Sequence, residues 1–128
     1  MIDTNILLDW LLDRDPSRTK RIEALFSSVH ELHIPDVIIV ELVFALEKIY
    51  TLPRQIIVNN IMKILDDPFF NCNRILFHKA ISDYVDHPSW SFVDSCLIHY
   101  ADLQHIIPVW TFDKKMVVQS DGIAKSPA

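Results

Sequence analysis

The chain predicts an α/β layer fold with a short parallel sheet, and two observations carry that expectation. Short apolar segments at residues 1–2, 74–77 and 107–112 alternate with longer stretches of helical period. Helix start and stop signals separate them: Asp15-Pro16, Ser17, Asp36, Asp66-Asp67-Pro68 and Asp113. The length of 128 residues, half of them hydrophobic, suits one compact domain with a core of its own.

Met1-Ile2 reads as the stub of a strand entering Asp3-Thr4-Asn5. Ile6-Leu7-Leu8 and Trp10-Leu11-Leu12 then give a helical turn or two, ended by Asp15-Pro16. Ser17 is the expected N-cap of the next helix, residues 18–29, where Ile22, Leu25, Phe26 and Val29 recur at i, i+3, i+4 and i+7. His33-Ile34-Pro35 is short and extended, and Asp36 can cap a helix that runs through Glu41 to Tyr50. After Leu52-Pro53 comes a helix with Ile56, Ile57, Ile61, Ile64 and Leu65 on its apolar face; Asp66-Asp67-Pro68 stops it. Residues 74–77, Arg-Ile-Leu-Phe, read as a strand, and residues 79–85 as a helix. The loop His87-Pro88-Ser89 precedes a helix from Phe92 to Leu103. Residues 107–112 read as a strand, and Asp113-Lys114-Lys115-Met116 opens the last helix. The tail, residues 122–128, carries no convincing final strand. No repeat, linker or low-complexity tract divides the chain, so residues 1–128 are expected to form one domain.

Composition excludes several functions. The mean hydropathy of +0.19 is high, but the most apolar stretch, residues 37–46, is too short to span a bilayer and holds Glu41 in its middle. The N-terminus has Asp3 where a secretory leader would be basic. Cys72 and Cys96 make no disulfide scaffold and no metal clip. The expectation is a soluble, cytoplasmic domain with no membrane partner. The single glycine, Gly122, rules out a P-loop, a dinucleotide-binding turn and a Gly-x-Ser-x-Gly nucleophile elbow. With 17 acidic residues against 12 Lys+Arg, the formal charge is −5. Such a balance disfavours a stable nucleic-acid binder, because phosphate neutralisation supplies most of that affinity. It leaves room for an enzyme whose metal ions meet the phosphate.

Four acids stand out by position. In a helix, Glu41 has Val37 and Ile38 before it and Phe44 and Ala45 after it, so its face reads as apolar. Asp94 is followed on its face by Leu97, Ile98 and Ala101. Asp3 and Asp113 each follow an apolar strand segment, at the sheet edge where open α/β folds bind ligands. Singly, each has an ordinary explanation: Asp113 as a helix cap, Asp3 as a turn residue, Asp94 as an acid favoured by the helix dipole. Glu41 has no cap to serve. A hard divalent cation with oxygen ligands is the simplest common cause for all four.

These residues also resemble a family. Met1-Ile2-Asp3-Thr4-Asn5-Ile6-Leu7-Leu8 resembles the opening of PIN-domain nucleases, and residues 35–42, with the acid at Glu41, resemble their second motif. Ser91-Phe92-Val93-Asp94-Ser95-Cys96-Leu97 is similar to the third motif, and Thr111-Phe112-Asp113-Lys114-Lys115 to the fourth. In size the chain resembles the single-domain VapC-type toxins, ribonucleases held in check by antitoxins. It departs from them in a first strand clipped to Met1-Ile2 and in its tail. The resemblance implies a PIN-like three-layer α/β/α fold around a short central parallel sheet. It also implies hydrolysis of RNA phosphodiester bonds with Mg²⁺ or Mn²⁺, Asp3 and Asp94 being the principal ligands and Glu41 and Asp113 ligating directly or through water. Asn5 and Thr111 would orient carboxylates or waters, although turn and strand-end hydrogen bonding explains them equally well. The expected partners are the RNA substrate, a cognate antitoxin whose tail lies beside the acids, and a second copy in a homodimer. The alternatives are a PIN-fold nuclease of RNA processing and a non-catalytic PIN-like binding module.

Other residues carry less. Arg14, Arg18, Lys20 and Arg21 form the densest basic stretch, and Lys114-Lys115 adjoin Asp113; either set could meet RNA or simply face solvent. His30 and His33 have a metal-like spacing without a third ligand, so surface or capping histidines are the better reading. Trp10, Trp90 and Trp110 can stack on bases, with core packing the better reading for Trp110 in its strand.

Overall fold

The structure, a computed structural model, describes residues 1–127; Ala128, the last residue of the tail, lies outside them. It divides into two compact units, Met1–Asn73 and Arg74–Ala128. Among the described residues no helix is long and apolar enough to cross a membrane.

The first unit holds α1 (Thr4–Leu12), α2 (Pro16–Ser28), β1 (Leu32–His33), α3 (Asp36–Lys48), α4 (Arg54–Leu65) and β2 (Phe70–Asn71). Asp3 caps α1 by accepting the Thr4 amide at 2.7 Å, and Asp13 ends the helix with a left-handed backbone. The N-cap of α2 is Asp15 rather than the expected Ser17: its carboxylate accepts the Ser17 and Arg18 amides while Pro16 takes the first helical position. The Ser17 hydroxyl instead donates to the same carboxylate at 2.8 Å. Only Ile22 of the predicted apolar face of α2 is buried; Phe26 is half-buried, and Leu25 and Val29 are exposed. Phe26 joins Trp10, Phe69 and Phe70 in an aromatic cluster with centroids 5.2 to 5.7 Å apart, tying both helices to β2.

β1 and β2 pair in parallel, Leu32 opposite Phe70 and His33 opposite Asn71. The crossover between them is α3 and α4, as a parallel pair requires. Ile2 adds one rung, its amide donating to the His33 carbonyl at 3.2 Å, which is all that remains of the predicted first strand. Pro35, not Asp36, is the N-cap of α3, and the helix ends at Lys48 rather than Tyr50. Ile39, Leu42, Val43 and Leu46 form its inner face, and Ile57, Ile61, Ile64 and Leu65 that of α4. Ile56 of the predicted apolar face of α4 is exposed.

Asp15 gives α2 a pH-dependent start. A hydrogen bond from the Ser17 hydroxyl, and then the Arg18 amide, hold its carboxyl below the ordinary value of 3.8. The folded value lies below the unfolded one, so this contribution is complete above the unfolded value and is lost as pH falls through the lowered one. Asp15→Asn should therefore flatten the acid limb of the stability profile below about pH 4 in urea titrations. An unchanged limb counts against this cap.

The second unit holds α5 (Arg74–Asp86), α6 (Phe92–Leu103), β3 (Val109–Trp110), α7 (Lys114–Gln119) and β4 (Ala124–Lys125). α5 corrects two expectations at once. Arg74-Ile75-Leu76-Phe77 is the first turn of one continuous helix, not a strand, because Leu76, Phe77, Ala80, Ile81 and Tyr84 line one helical face over 13 residues. α6 has the predicted bounds. It opens with a reciprocal box in which Ser91 Oγ accepts the Asp94 amide and Asp94 Oδ2 accepts the Ser91 amide, both at 3.0 Å. Phe92 stacks on Phe77 and meets Tyr84 edge-on, and Asp83 of α5 hydrogen-bonds His99 of α6.

β3 pairs in parallel with β4, Val109 opposite Ala124 and Trp110 opposite Lys125. The tail therefore does form a strand. Asp121 and Gly122, both at positive φ, make the turn that leads into it. Trp90, Ile98, Ala101, Val109, Met116 and Ala124 close the core of this unit. Trp110 is not part of that core: with Val109 turned inward, the two-residue period of a strand turns Trp110 out.

Candidate active site

Asp3, Asn5 and Glu41 belong to the first unit, and Asp94, Thr111 and Asp113 to the second. Three of the four acids share one local geometry. Asp3 and Asp113 are the N-caps of α1 and α7, and Asp94 sits in the first turn of α6. Each commits one carboxylate oxygen to backbone amides: Asp3 Oδ1 to Thr4, Asp94 Oδ2 to Ser91, and Asp113 Oδ1 to Lys115 and Met116 at 3.0 and 3.1 Å. The other oxygen of each makes no hydrogen bond among the described residues. The ordinary capping explanation thus holds for one oxygen of each acid and leaves the second oxygen without a task.

Glu41 differs from the reading of its sequence. Its side chain is exposed, and Val37 and Phe44 on the same face are 67 % and 59 % exposed. α3 is apolar on nearly every face, so hydrophobic period alone cannot decide which side turns inward. The stripe through Ile39, Leu42, Val43 and Leu46 wins the core and leaves Glu41 outside. None of the four acids takes part in an ion pair among the described residues, whereas Asp9, Asp15 and Asp83 do.

The two expected orienting residues behave differently. Thr111 Oγ1 accepts the Asp113 amide at 3.0 Å, so it fixes the backbone from which that carboxylate projects. Asn5 is exposed on α1, and its carbonyl receives an Arg14 N–H at 3.3 Å. The basic stretch divides by position. Arg14 is tied to Asp9 at 2.8 Å and to the Tyr50 hydroxyl, and Arg18 lies 3.6 Å from Asp9. Arg21 enters no ion pair among the described residues and, with Asn5, Ile6, Asp9, Arg18 and Ile22, lines a pocket of about 420 Å³ between α1 and α2. Asp9 is the residue that sequence reading missed: it is buried, and the signal was an acid five residues before an arginine. His30 and His33 are both exposed, in keeping with surface histidines.

Carboxylate oxygen is the donor type that a hard divalent cation prefers, and each of the four acids keeps at least one oxygen uncommitted among the described residues. Within neither unit do three histidine, cysteine or acidic side chains among the described residues gather into a metal-holding group.

The described residues form a mostly helical α/β chain with short parallel strands, and aspartates stand at the starts of α1, α6 and α7. The PIN domain family matches residues 1–119, and the chain belongs to it. Its fold is the PIN-like α/β fold, and a PIN domain points to a nuclease and hence to a hydrolase, typically one that uses divalent metal. No curated protein and no solved structure gives a significant match.

The caps make a prediction that separates folding from chemistry. Asp113→Ala removes the acceptor for two α7 amides and should destabilise the protein by about 1 kcal/mol, whereas Asp113→Asn, itself a good cap, should cost far less. Thermal melts of both variants check this; equal losses would show that the cap is not what Asp113 contributes.

Proposed function

We propose that this chain is a divalent-metal-dependent endoribonuclease, the toxin of a type II toxin–antitoxin pair, with residues 1–128 acting as one domain. The observation that carries the reading is the shared state of Asp3, Asp94 and Asp113: one oxygen anchored on a helix start, the other uncommitted, and no cation partner among the described residues. Together with Glu41 they would hold Mg²⁺ or Mn²⁺. When bound, such an ion neutralises the phosphate oxygens and makes water a competent nucleophile at neutral pH. The chain's own residues supply position and charge. Thr111 and the α7 amides set Asp113, Ser91 sets Asp94, and Lys114 and Lys115 offer cations beside Asp113. No side-chain nucleophile is needed.

The family match over residues 1–119 runs through both units, which supports the one-domain reading. Val37 and Phe44, exposed on α3, support association with a second copy, since apolar side chains grouped on a surface favour burial by a partner. A cognate antitoxin would silence the enzyme by pairing a basic side chain with the uncommitted carboxylates. The cytoplasm, where RNA and antitoxin meet, is the proposed site of action. The test uses the full chain. Purified protein should cleave RNA in Mg²⁺ or Mn²⁺ and stop in EDTA, and expression should arrest growth unless the neighbouring gene is co-expressed. Cleavage that persists in the metal-stripped protein would falsify the metal reading, and an inert neighbour would remove the toxin role.

A further inference from the structure

Trp110 is 64 % exposed and Phe112 is 82 % exposed, two residues apart on one extended segment that leads into Asp113. Residues two apart on extended chain share a face, and Thr111 between them continues the β3–β4 ladder through its amide. Lys125 is the register partner of Trp110 across the β3–β4 pair, and the Thr111 amide donates to its carbonyl at 3.0 Å. Lys114 and Lys115 follow directly, both exposed. None of the three lysines forms an ion pair among the described residues. Residues 109–127 carry these three lysines against Asp113 and Asp121, a positive stretch in a chain of charge −5.

Two large rings in water are a standing cost unless something covers them. Lysine is depleted where proteins bury apolar surface against one another and is abundant where phosphate is met. We infer that Trp110 and Phe112 form a stacking platform for unpaired bases of single-stranded nucleic acid, with Lys114, Lys115 and Lys125 along its backbone. Every base has a π-face, so such a platform accepts any unpaired base and rejects a duplex, whose bases are stacked on each other. This rests on the nuclease reading and assigns Trp110 and Phe112 as the side chains that seat substrate bases beside Asp113.

The tryptophans make the test selective. Trp90 is buried and stacked on His87 at 4.4 Å, and Trp10 is half-buried among Phe26 and Phe70, so Trp110 is the reporter that solvent and ligand reach. A short oligouridylate added to the full chain in EDTA should quench its fluorescence, and duplex RNA of equal length should not. Phe112→Ala keeps the reporter and should weaken binding about tenfold. Trp110→Ala should abolish the quench, and Lys125→Gln should reduce the salt slope of binding by about 0.7. Both rings lie outside the core of Val109, Met116 and Ala124, so melting temperatures should stay near wild type. The platform is overturned if single strands give no quench, if duplex quenches equally, or if Phe112→Ala binds as tightly as wild type. It is also overturned if the emission changes with protein concentration alone, which would mean a second copy covers the face. Cleavage without quench overturns the platform and leaves the nuclease. Quench without cleavage in Mg²⁺ or Mn²⁺ supports the platform and removes the nuclease.

Discussion

Asp94→Asn is expected to lower metal-dependent RNA cleavage by about a hundredfold or more while leaving the fold intact. The asparagine side chain keeps an oxygen that accepts the Ser91 amide, and its own backbone amide still donates to Ser91 Oγ, so the box that opens α6 survives. What disappears is one negative charge. At a helix start that charge contributes only about 0.3–1 kcal/mol to stability, so the melting temperature should barely move. As a ligand it is far more consequential, because a neutral amide binds a hard cation weakly. Added Mg²⁺ should accordingly raise the melting temperature of the wild type more than that of the variant. Asp102→Asn, which removes an exposed acid near the other end of the same helix, is the charge-matched control and should cleave normally. An Asp94→Asn protein that cleaves like wild type would take Asp94 out of the site.

What the sequence revealed depended on how far each signal reaches along the chain. α6 was readable to the residue because its determinants are local: Ser91 and Asp94 cap it, and its apolar side chains repeat within twelve residues. α5 was misread where a four-residue apolar run looked like a strand, although the helical period across 13 residues outweighs it. β4 was missed because two residues, Ala124 and Lys125, carry no strand pattern of their own; it exists through pairing with β3. The site divides in the same way. The helix-start positions of Asp3, Asp94 and Asp113 are legible because caps and strand ends are short-range features. The side that Glu41 faces is not, since α3 is apolar almost all round and only its neighbours decide which stripe is buried. A tryptophan in a strand reads as core, yet Val109 holds the inward position and one residue of register turns Trp110 outward.

The same limit explains Arg14, which the sequence offers as one member of a basic patch and the structure makes the cation partner of a buried acid. Its loss is expected to be the costliest change outside the apolar core: Arg14→Ala should destabilise the protein by about 3 kcal/mol, lowering the melting temperature by roughly 10 °C. Asp9 is 4 % exposed, and Arg14 Nε donates to its Oδ1 at 2.8 Å. Among the described residues the other cation within ion-pair distance of Asp9 is Arg18, 3.6 Å away on a mostly exposed side chain and shared with Asp15. Burial works against the charge on Arg14, but hydrogen bonds to Tyr50 and Asp9 more than offset it and raise its pKa above the ordinary arginine value. The guanidinium therefore stays charged at neutral pH, and this contribution is complete below the ordinary arginine value and lost only as pH rises through the raised one. Arg14→Lys should fall well short of rescue, since one ammonium cannot serve the Asp9 carboxylate, the Tyr50 hydroxyl and the Asn5 carbonyl together. The decisive variant is the pair Asp9→Asn with Arg14→Met. If the cost of Arg14→Ala is that of leaving a carboxylate buried alone, removing both charges should recover most of the lost stability. A double variant that melts as low as Arg14→Ala would instead assign the loss to packing of the arginine stem against α1. An Arg14→Ala protein that melts within about a degree of wild type would show that Arg18 and water already satisfy Asp9.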